Sequence, residues 1–130
     1  MMRGVCIASL YLASLPLLAC GFENGERIAQ VDGAVLHYRI KSPPLMVATH
    51  FSMQFQLCRD TTVQAIEAFR LDALMPAHGH GMNYKASINW LDDGLVEADG
   101  MLFHMPGQWR VTVNLSYDGV ARKTRLDIEI

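Results

Sequence analysis

The sequence predicts an all-β domain, an immunoglobulin-like sandwich of about seven short strands arranged in two antiparallel sheets. Two observations lead to this prediction. Apolar and polar residues alternate with period two along much of the chain, as they do when a strand buries one of its faces. Turn-forming pairs such as Asp-Gly and Pro-Gly separate these stretches at short intervals. A small closed barrel fits the same pattern, so periodicity alone leaves that alternative open.

The clearest predicted strand covers residues 109–117, where apolar residues alternate strictly with Arg, Thr, Asn and Ser. Asp118-Gly119 follows and tolerates the positive φ of a tight hairpin turn, after which Leu126, Ile128 and Ile130 point inward. The other predicted strands are residues 28–31 and 35–40 around Asp32-Gly33, residues 51–57, residues 84–90, and residues 95–105 with a bulge at Gly100. Trp90 and Trp109 both fall on inward positions, so both are predicted in the core.

Residues 62–75 fit two patterns. Helical spacing connects Val63 to Ala73, whereas alternation connects Phe69 to Met75. We predict a strand over residues 68–75, because the neighbouring segments are strands and Pro76 ends the run.

The first 19 residues predict a cleaved lipoprotein signal. Arg3 precedes an uncharged apolar run over residues 5–18, which is shorter than the about 20 residues of a membrane span but suits a signal peptide. Leu17-Leu18-Ala19-Cys20 then resembles a bacterial lipobox. We therefore expect Cys20 to be lipidated, residues 20–27 to carry the lipid and a tether, and residues 28–130 to fold. An ordinary secretory signal, cut near Ala19 or Gly21, is the alternative.

This prediction places the protein outside the cytoplasmic membrane, anchored by lipid and facing the periplasm. The several acyl chains of a lipidated Cys satisfy the requirement for more than one anchor. Gly21 rather than Asp after the Cys favours the outer membrane. Of the three cysteines, Cys6 leaves with the signal and Cys20 carries lipid. We therefore expect Cys58 to be an unpaired structural thiol on the polar face of its strand, and no disulfide framework.

The charge balance gives no electrostatic case for nucleic acid as a partner. Removal of residues 1–19 takes Arg3 away and leaves 10 basic and 13 acidic side chains, whereas phosphate binding needs clustered positive charge. The basic run Arg122-Lys123-Thr124-Arg125 is brief, and we expect it to be the solvated face of a strand. The sequence contains no Gly-rich phosphate loop and no nucleophile elbow. We expect a protein that is not an enzyme.

Two segments combine imidazole and thioether groups. The first is Met75-Pro76-Ala77-His78-Gly79-His80-Gly81-Met82, and the second is Phe103-His104-Met105-Pro106-Gly107. Soft sulfur and borderline nitrogen donors suit copper, and thioethers favour Cu(I). The predicted metal ligands are His78, His80, Met82, His104, Met75 and Met105.

Local geometry limits this ligand set. In an extended loop His78, His80 and Met82 project to one side, whereas His104 and Met105 point to opposite faces, so only one of that pair can be a ligand. The alternative is that the methionines fill the core and the histidines form a solvated turn. His37 and His50 are isolated and are predicted to be ordinary surface or core-edge residues.

These two segments, followed by Gln108-Trp109, resemble the YtkA-like domain family, which is related to FixH-type proteins. The resemblance extends over residues 42–130 and implies an exported or membrane-anchored immunoglobulin-like sandwich, in a setting of copper handling and respiratory oxidase assembly. FixH-type proteins keep a transmembrane anchor, which this chain is expected to replace by a lipid. The motif positions are Met75, Pro76, His78, Gly79, His80, Gly81, Met82, His104, Met105, Pro106, Gly107 and Trp109.

Two functions follow as expectations. The first is a copper-binding accessory lipoprotein, a chaperone or scavenger, with a protein partner in copper or oxidase assembly. The second is a metal-free interaction module that docks on a membrane redox or assembly complex.

Overall fold

The computed structural model describes residues 19–41 and 44–130, so most of the predicted signal lies outside the described residues. Two antiparallel sheets pack as a sandwich, which confirms the predicted immunoglobulin-like all-β fold. Sheet one has the order β1-β2-β3-β8-β7 with β4 beside β3, and sheet two has the order β10-β9-β5-β6. The strands are β1 Arg27–Val31, β2 Ala34–Ile40, β3 Phe51–Arg59, β4 Thr62–Gln64, β5 Ala68–Met75, β6 His80–Gly81, β7 Ser87–Trp90, β8 Val96–Met101, β9 Gln108–Tyr117 and β10 Val120–Glu129.

The β9–β10 hairpin forms the centre and one edge of sheet two. Its pairing runs without interruption from Tyr117↔Val120 to Gln108↔Glu129. The turn at Asp118-Gly119 has the positive φ angles that the sequence predicts. The alternating apolar residues of both strands face sheet one and are buried. Period-two patterning therefore determines both the strands and the face that they bury.

The alternation of residues 68–75 corresponds to β5, so the strand prediction is confirmed over the helix. Two other predicted strands are shorter in the structure. The predicted strand 84–90 begins only at Ser87, and the predicted strand 95–105 ends at Met101. The bulge expected at Gly100 is present, because β8 carries one extra residue opposite the pair Phe51 and Met53, and Gly100 has φ of +75°.

The two tryptophans have different environments. Trp109 is fully buried and stacks on Phe103, with ring centroids 4.6 Å apart and an interplanar angle of 6°. Trp90, by contrast, is 53% exposed, so its predicted core position is wrong. It is the last residue of β7, the four-residue edge strand of sheet one. Among the described residues no helix is long and apolar enough to cross a membrane.

The outer face of sheet one is polar but partly buried. Arg39 donates to Gln54 Oε1 from Nε and Nη2, at 3.0 and 2.8 Å, and Gln54 Nε2 donates to Glu97 at 2.9 Å. Lys41 Nζ donates to the same Glu97 oxygen at 2.9 Å. These hydrogen bonds from Lys41 and Gln54 hold the pKa of Glu97 below its ordinary value. The network therefore keeps a buried carboxylate charged on this face.

Cys20 and Cys58 form a disulfide, and Cys58 is 1% exposed. The prediction that Cys58 has no partner within the chain is therefore wrong. It depended on assigning the Cys20 sulfur to a lipid, which removed the second thiol from consideration. One sulfur cannot hold both a thioether lipid and a disulfide. Lipidation of Cys20 stays a prediction, and a lipidated Cys20 could not form the disulfide seen in the structure.

Residues 20–26, here called the N-terminal strap, lie against the outer face of sheet one. Gly21 N donates to Gln56 Oε1 at 2.7 Å, and the guanidinium of Arg39 lies 4.6 Å from the centre of the Phe22 ring. The Glu26 carboxylate accepts from Phe22 N and lies 3.0 Å from His37 Nδ1. The segment predicted as a tether is thus in contact with the folded domain, and Arg27, its last predicted residue, already begins β1.

Reduction of the Cys20–Cys58 disulfide is expected to lower the free energy of unfolding by about 2–4 kcal/mol, because the bond closes a loop between residues 38 apart in sequence. The measurement is urea denaturation of residues 20–130 with and without a phosphine reductant. Cys20→Ser is the control and should unfold at the same urea concentration under both conditions. Equal stability of the oxidised and reduced wild-type chain would contradict this bond.

Candidate metal centre

The β5–β6 hairpin presents the first His/Met segment. Met75 ends β5 and pairs with His80 in β6, and its carbonyl accepts from His78 N at 3.2 Å and from Gly79 N at 2.8 Å. Gly79 has φ of +65°, which lets the chain turn within four residues. The turn is therefore fixed by the backbone, and it leaves the side chains of His78 and His80 exposed.

The second His/Met segment lies in the connection between β8 and β9. Trp109 Nε1 donates to the Met105 carbonyl at 3.0 Å, and Gly107 exchanges two backbone hydrogen bonds with Ile130. His104 is held against the Trp109 ring, with centroids 5.3 Å apart and planes at 76°. The buried tryptophan thus anchors this connection to the core.

The two segments meet because β5 and β9 are antiparallel neighbours. Leu74, near the end of β5, pairs with Arg110, near the start of β9. The ring centroids of His80 and His104 are 6.3 Å apart, and those of His78 and His80 are 6.1 Å apart. His80 therefore lies between a ring from its own hairpin and a ring from the β8–β9 connection.

These distances limit what the three rings can bind. An imidazole nitrogen binds a metal at about 2.0 Å and lies about 1 Å from its ring centre, so two rings on one ion have centres up to about 6 Å apart. Each neighbouring pair is at this limit, and the three rings form a row. Accordingly, no group of three or more His, Cys, Asp or Glu side chains within the described residues is arranged to hold one ion.

His104 carries an observation that fits a metal ligand. Its Nδ1 is buried and has no hydrogen-bond partner among the described residues. Buried polar atoms are normally satisfied, and a neutral imidazole has one nitrogen with a free lone pair. The three rings therefore include a buried nitrogen whose hydrogen-bonding capacity is unused among the described residues.

The three methionines belong to the hydrophobic core or pack against it. Met75 is 1% exposed and belongs to the core, whereas Met82 and Met105 are partly buried and pack against it. Of the adjacent pair, His104 is in contact with His80, while Met105 supplies its carbonyl to Trp109. The packing of Met75 matches the core-filling alternative, and the histidines are the better-placed donors.

Sequence reasoning missed two features near this centre. Trp109 was predicted as a core residue and as a motif position of the resemblance, but its contact with His104 was not predicted; its position directly after Pro-Gly-Gln is the available signal. His50, predicted as isolated, packs edge-on against Tyr84 at 5.1 Å, and its Nδ1 lies 3.3 Å from the Gly100 carbonyl. No sequence spacing connects these last three residues, because the sheet pairing brings them together.

Comparisons with known proteins support the fold. No protein-family model matches the chain, and no curated protein matches it in sequence. The crystal structure of a DUF4426 family protein from Pseudomonas aeruginosa is similar, with a TM-score of 0.61 at 11% identity over 84% of this chain and 97% of that chain. At this identity the likeness shows the fold alone, and the resemblance to YtkA-like domains stays a prediction.

Gly107→Ala is expected to destabilise the domain, because the backbone at position 107 has φ of +128°, a conformation that L side chains rarely adopt. The added Cβ would also lie 2.9 Å from Met75 Cε, the movable end of a flexible side chain. Gly81→Ala is the matched control, because its nearest contact would be an ordinary 3.8 Å and its φ is outside the positive region. We expect a loss of roughly 1–3 kcal/mol for Gly107→Ala by thermal or urea unfolding. A loss as small as that of Gly81→Ala would show that this backbone angle does not constrain the loop.

Proposed function

We propose that this domain binds copper, preferentially Cu(I), and acts outside the cytoplasmic membrane as a copper chaperone or scavenger. The observation that carries the proposal is the position of His80 between His78 and His104, together with the unpartnered buried Nδ1 of His104. Copper is the metal whose preferences best match imidazole donors beside thioethers.

The arrangement suits transfer of an ion more than permanent storage. Cu(I) tolerates low coordination numbers, so a pair of imidazoles at the limit of one ion's reach is sufficient to hold it. His78 and His80 are exposed, which gives a partner's ligands access to the metal. Met82 and Met105, which pack against the core, can add a thioether if their side chains rotate. Closed structural sites, by comparison, surround the ion completely.

The resemblance to YtkA-like and FixH-type domains adds to this proposal. The residues that carry it, from Met75 to Met82 and from His104 to Trp109, are the residues that form the His row and its support. It implies a partner in copper handling or respiratory oxidase assembly. We therefore include such a protein among the expected partners of the domain.

Location outside the cytoplasm follows from either fate of Cys20. A lipid on Cys20 requires export, and a disulfide persists only in an oxidising compartment. Phe51, at the start of β3, pairs with Met101, the last residue of β8 before the His104 connection. Cys58 lies seven residues further along β3. At about 3.3 Å per residue, the Cys20–Cys58 disulfide is therefore roughly 23 Å from the end of the sandwich that carries His104. In either form the copper site would face away from Cys20.

Copper bound by His80 and His104 should quench the fluorescence of Trp109, since the Trp109 ring touches His104. The experiment titrates Cu(I) anaerobically into residues 20–130 and records stoichiometry and emission. Trp90→Phe should keep the quenching and Trp109→Phe should lose it, because Trp90 lies in another sheet. His80→Ala should weaken binding beyond the roughly 10- to 100-fold expected for loss of an outer-shell partner.

His37→Ala is the matched control, as His37 contacts Glu26 on the opposite face of the domain. Unchanged affinity in a His80→Ala/His104→Ala double variant would remove the proposed site. Absence of tight copper binding to the wild-type chain would leave the second candidate, a metal-free interaction module, whose capture of a membrane partner should survive chelation.

We propose that Cys20 forms the disulfide in the exported protein, because Gly21, Phe22 and Glu26 hold the strap against the folded domain. A lipid anchor on Cys20 is the second candidate, and it is supported by the sequence Leu17-Leu18-Ala19-Cys20. Intact mass and alkylation of the protein from native cells distinguish the two. We expect a chain that starts near Cys20, has no acyl mass, and labels at Cys58 only after reduction. An acylated Cys20 with a freely alkylated Cys58 would establish the lipid-anchored form.

A further inference from the structure

One edge of sheet two is incompletely covered. β6 pairs only with Leu74 and Met75, so the edge of β5 before them has no neighbouring strand among the described residues. Met82 N donates to the Ala73 carbonyl, so the backbone groups of Ala73 point toward the β6 side of β5. Backbone groups alternate in direction along a strand, so those of the other odd-numbered residues of β5 point to the same side. The N–H and C=O groups of Phe69 and Leu71 therefore face an open edge.

A groove of about 490 Å³ is lined by β5, by the segment of residues 82–88 that crosses from sheet two to sheet one, and by Thr112 and Asn114 of β9. Its apolar lining includes Leu71, Ala73, Met82 and Ile88. The volume is within the range of functional binding sites, about 300–1,000 Å³. The opposite seam of the sandwich is bridged, because Thr124 of β10 donates to the Gln30 carbonyl of β1 at 3.1 Å.

The charges of the groove are unequal. Arg70 and Lys85 line it, both are exposed, and neither has a carboxylate within 4.0 Å among the described residues. Asp72, the acidic residue of the groove, accepts from Ala73 N at 2.9 Å. That hydrogen bond satisfies the N–H of Ala73, which also points toward the open edge beside β6. The backbone groups that remain unpaired at this edge are therefore those of Phe69 and Leu71.

We propose that this groove binds an extended, acidic peptide segment of a partner protein by strand addition to β5. Backbone hydrogen bonds would form at Phe69 and Leu71, alternate apolar side chains would pack on the apolar lining of the groove, and carboxylates would pair with Arg70 and Lys85. An isolated open edge is a hazard that proteins usually block with charges or cover. This site uses none of the histidines and shares only Met82 with the residues proposed for copper.

The probe is an acetylated, dye-labelled octapeptide in which valine and glutamate alternate, measured by fluorescence anisotropy with the disulfide-bonded residues 20–130. We expect saturable binding, with chemical-shift changes at the Phe69 and Leu71 amides by NMR. Arg70→Ala/Lys85→Ala should weaken binding about tenfold, the sum expected for two exposed ion pairs. Arg27→Ala/Arg125→Ala removes the same charge outside the groove and should leave binding unchanged, as should His80→Ala.

Three results would overturn the proposal. The first is equal binding of the same peptide with lysine in place of glutamate, and the second is equal binding of a peptide methylated on its backbone nitrogens. The third is dimerisation of the protein alone through this edge, seen as a sedimentation shift abolished by excess peptide, which would assign the groove to a second copy of the chain.

Discussion

The burial of Trp109 is the interaction on which the candidate site depends. Its ring stacks on Phe103 and touches His104, and its indole N–H holds the Met105 carbonyl. A connection between two strands would otherwise be the most mobile part of this end of the sandwich. Because Trp109 is the second residue of β9, which pairs with β5, the same side chain brings the His104 connection to the β5–β6 hairpin. Core packing and the approach of His80 to His104 therefore have one cause.

Much of the fold could be predicted from the sequence, because period two reports directly which face of a strand is buried. The hairpins at Asp32-Gly33 and Asp118-Gly119 follow from local chemistry alone, whereas the prediction of β5 also depended on the strands beside it in sequence. Strand ends were less predictable, as the end of β8 shows. Apolar alternation continues to residue 105, yet the pairing stops at Met101 because β3, its partner, begins at Phe51. The prediction that Trp90 lies in the core was wrong for a related reason, since the sequence does not reveal that its strand lies at the edge of the sheet.

The pairing of Cys58 illustrates a different kind of error. The strand alternation placed Gln54, Gln56 and Cys58 on a polar face, and a polar face was assumed to be solvated. In the structure the strap and the Arg39, Lys41 and Glu97 side chains cover this face, so both sides of β3 are buried. Both His/Met segments were assigned to one end of the sandwich, and the ring centroids of His80 and His104 lie 6.3 Å apart in the structure. The distances between the three histidine rings depend on the register of β5 with β6 and β9, and no local sequence pattern predicts that register.

The shortness of β6 connects the two proposed sites. This strand has only two residues, because the chain leaves sheet two after Gly81 and crosses to sheet one. A longer β6 would cover the edge groups of Phe69 and Leu71 and would draw residues 82–86 away from the groove. It would also extend the hairpin past Met82, which lines the groove and packs against the core. A short strand leaves the histidine tip exposed and the β5 edge open. A partner held at that edge would therefore lie beside the residues proposed to carry copper.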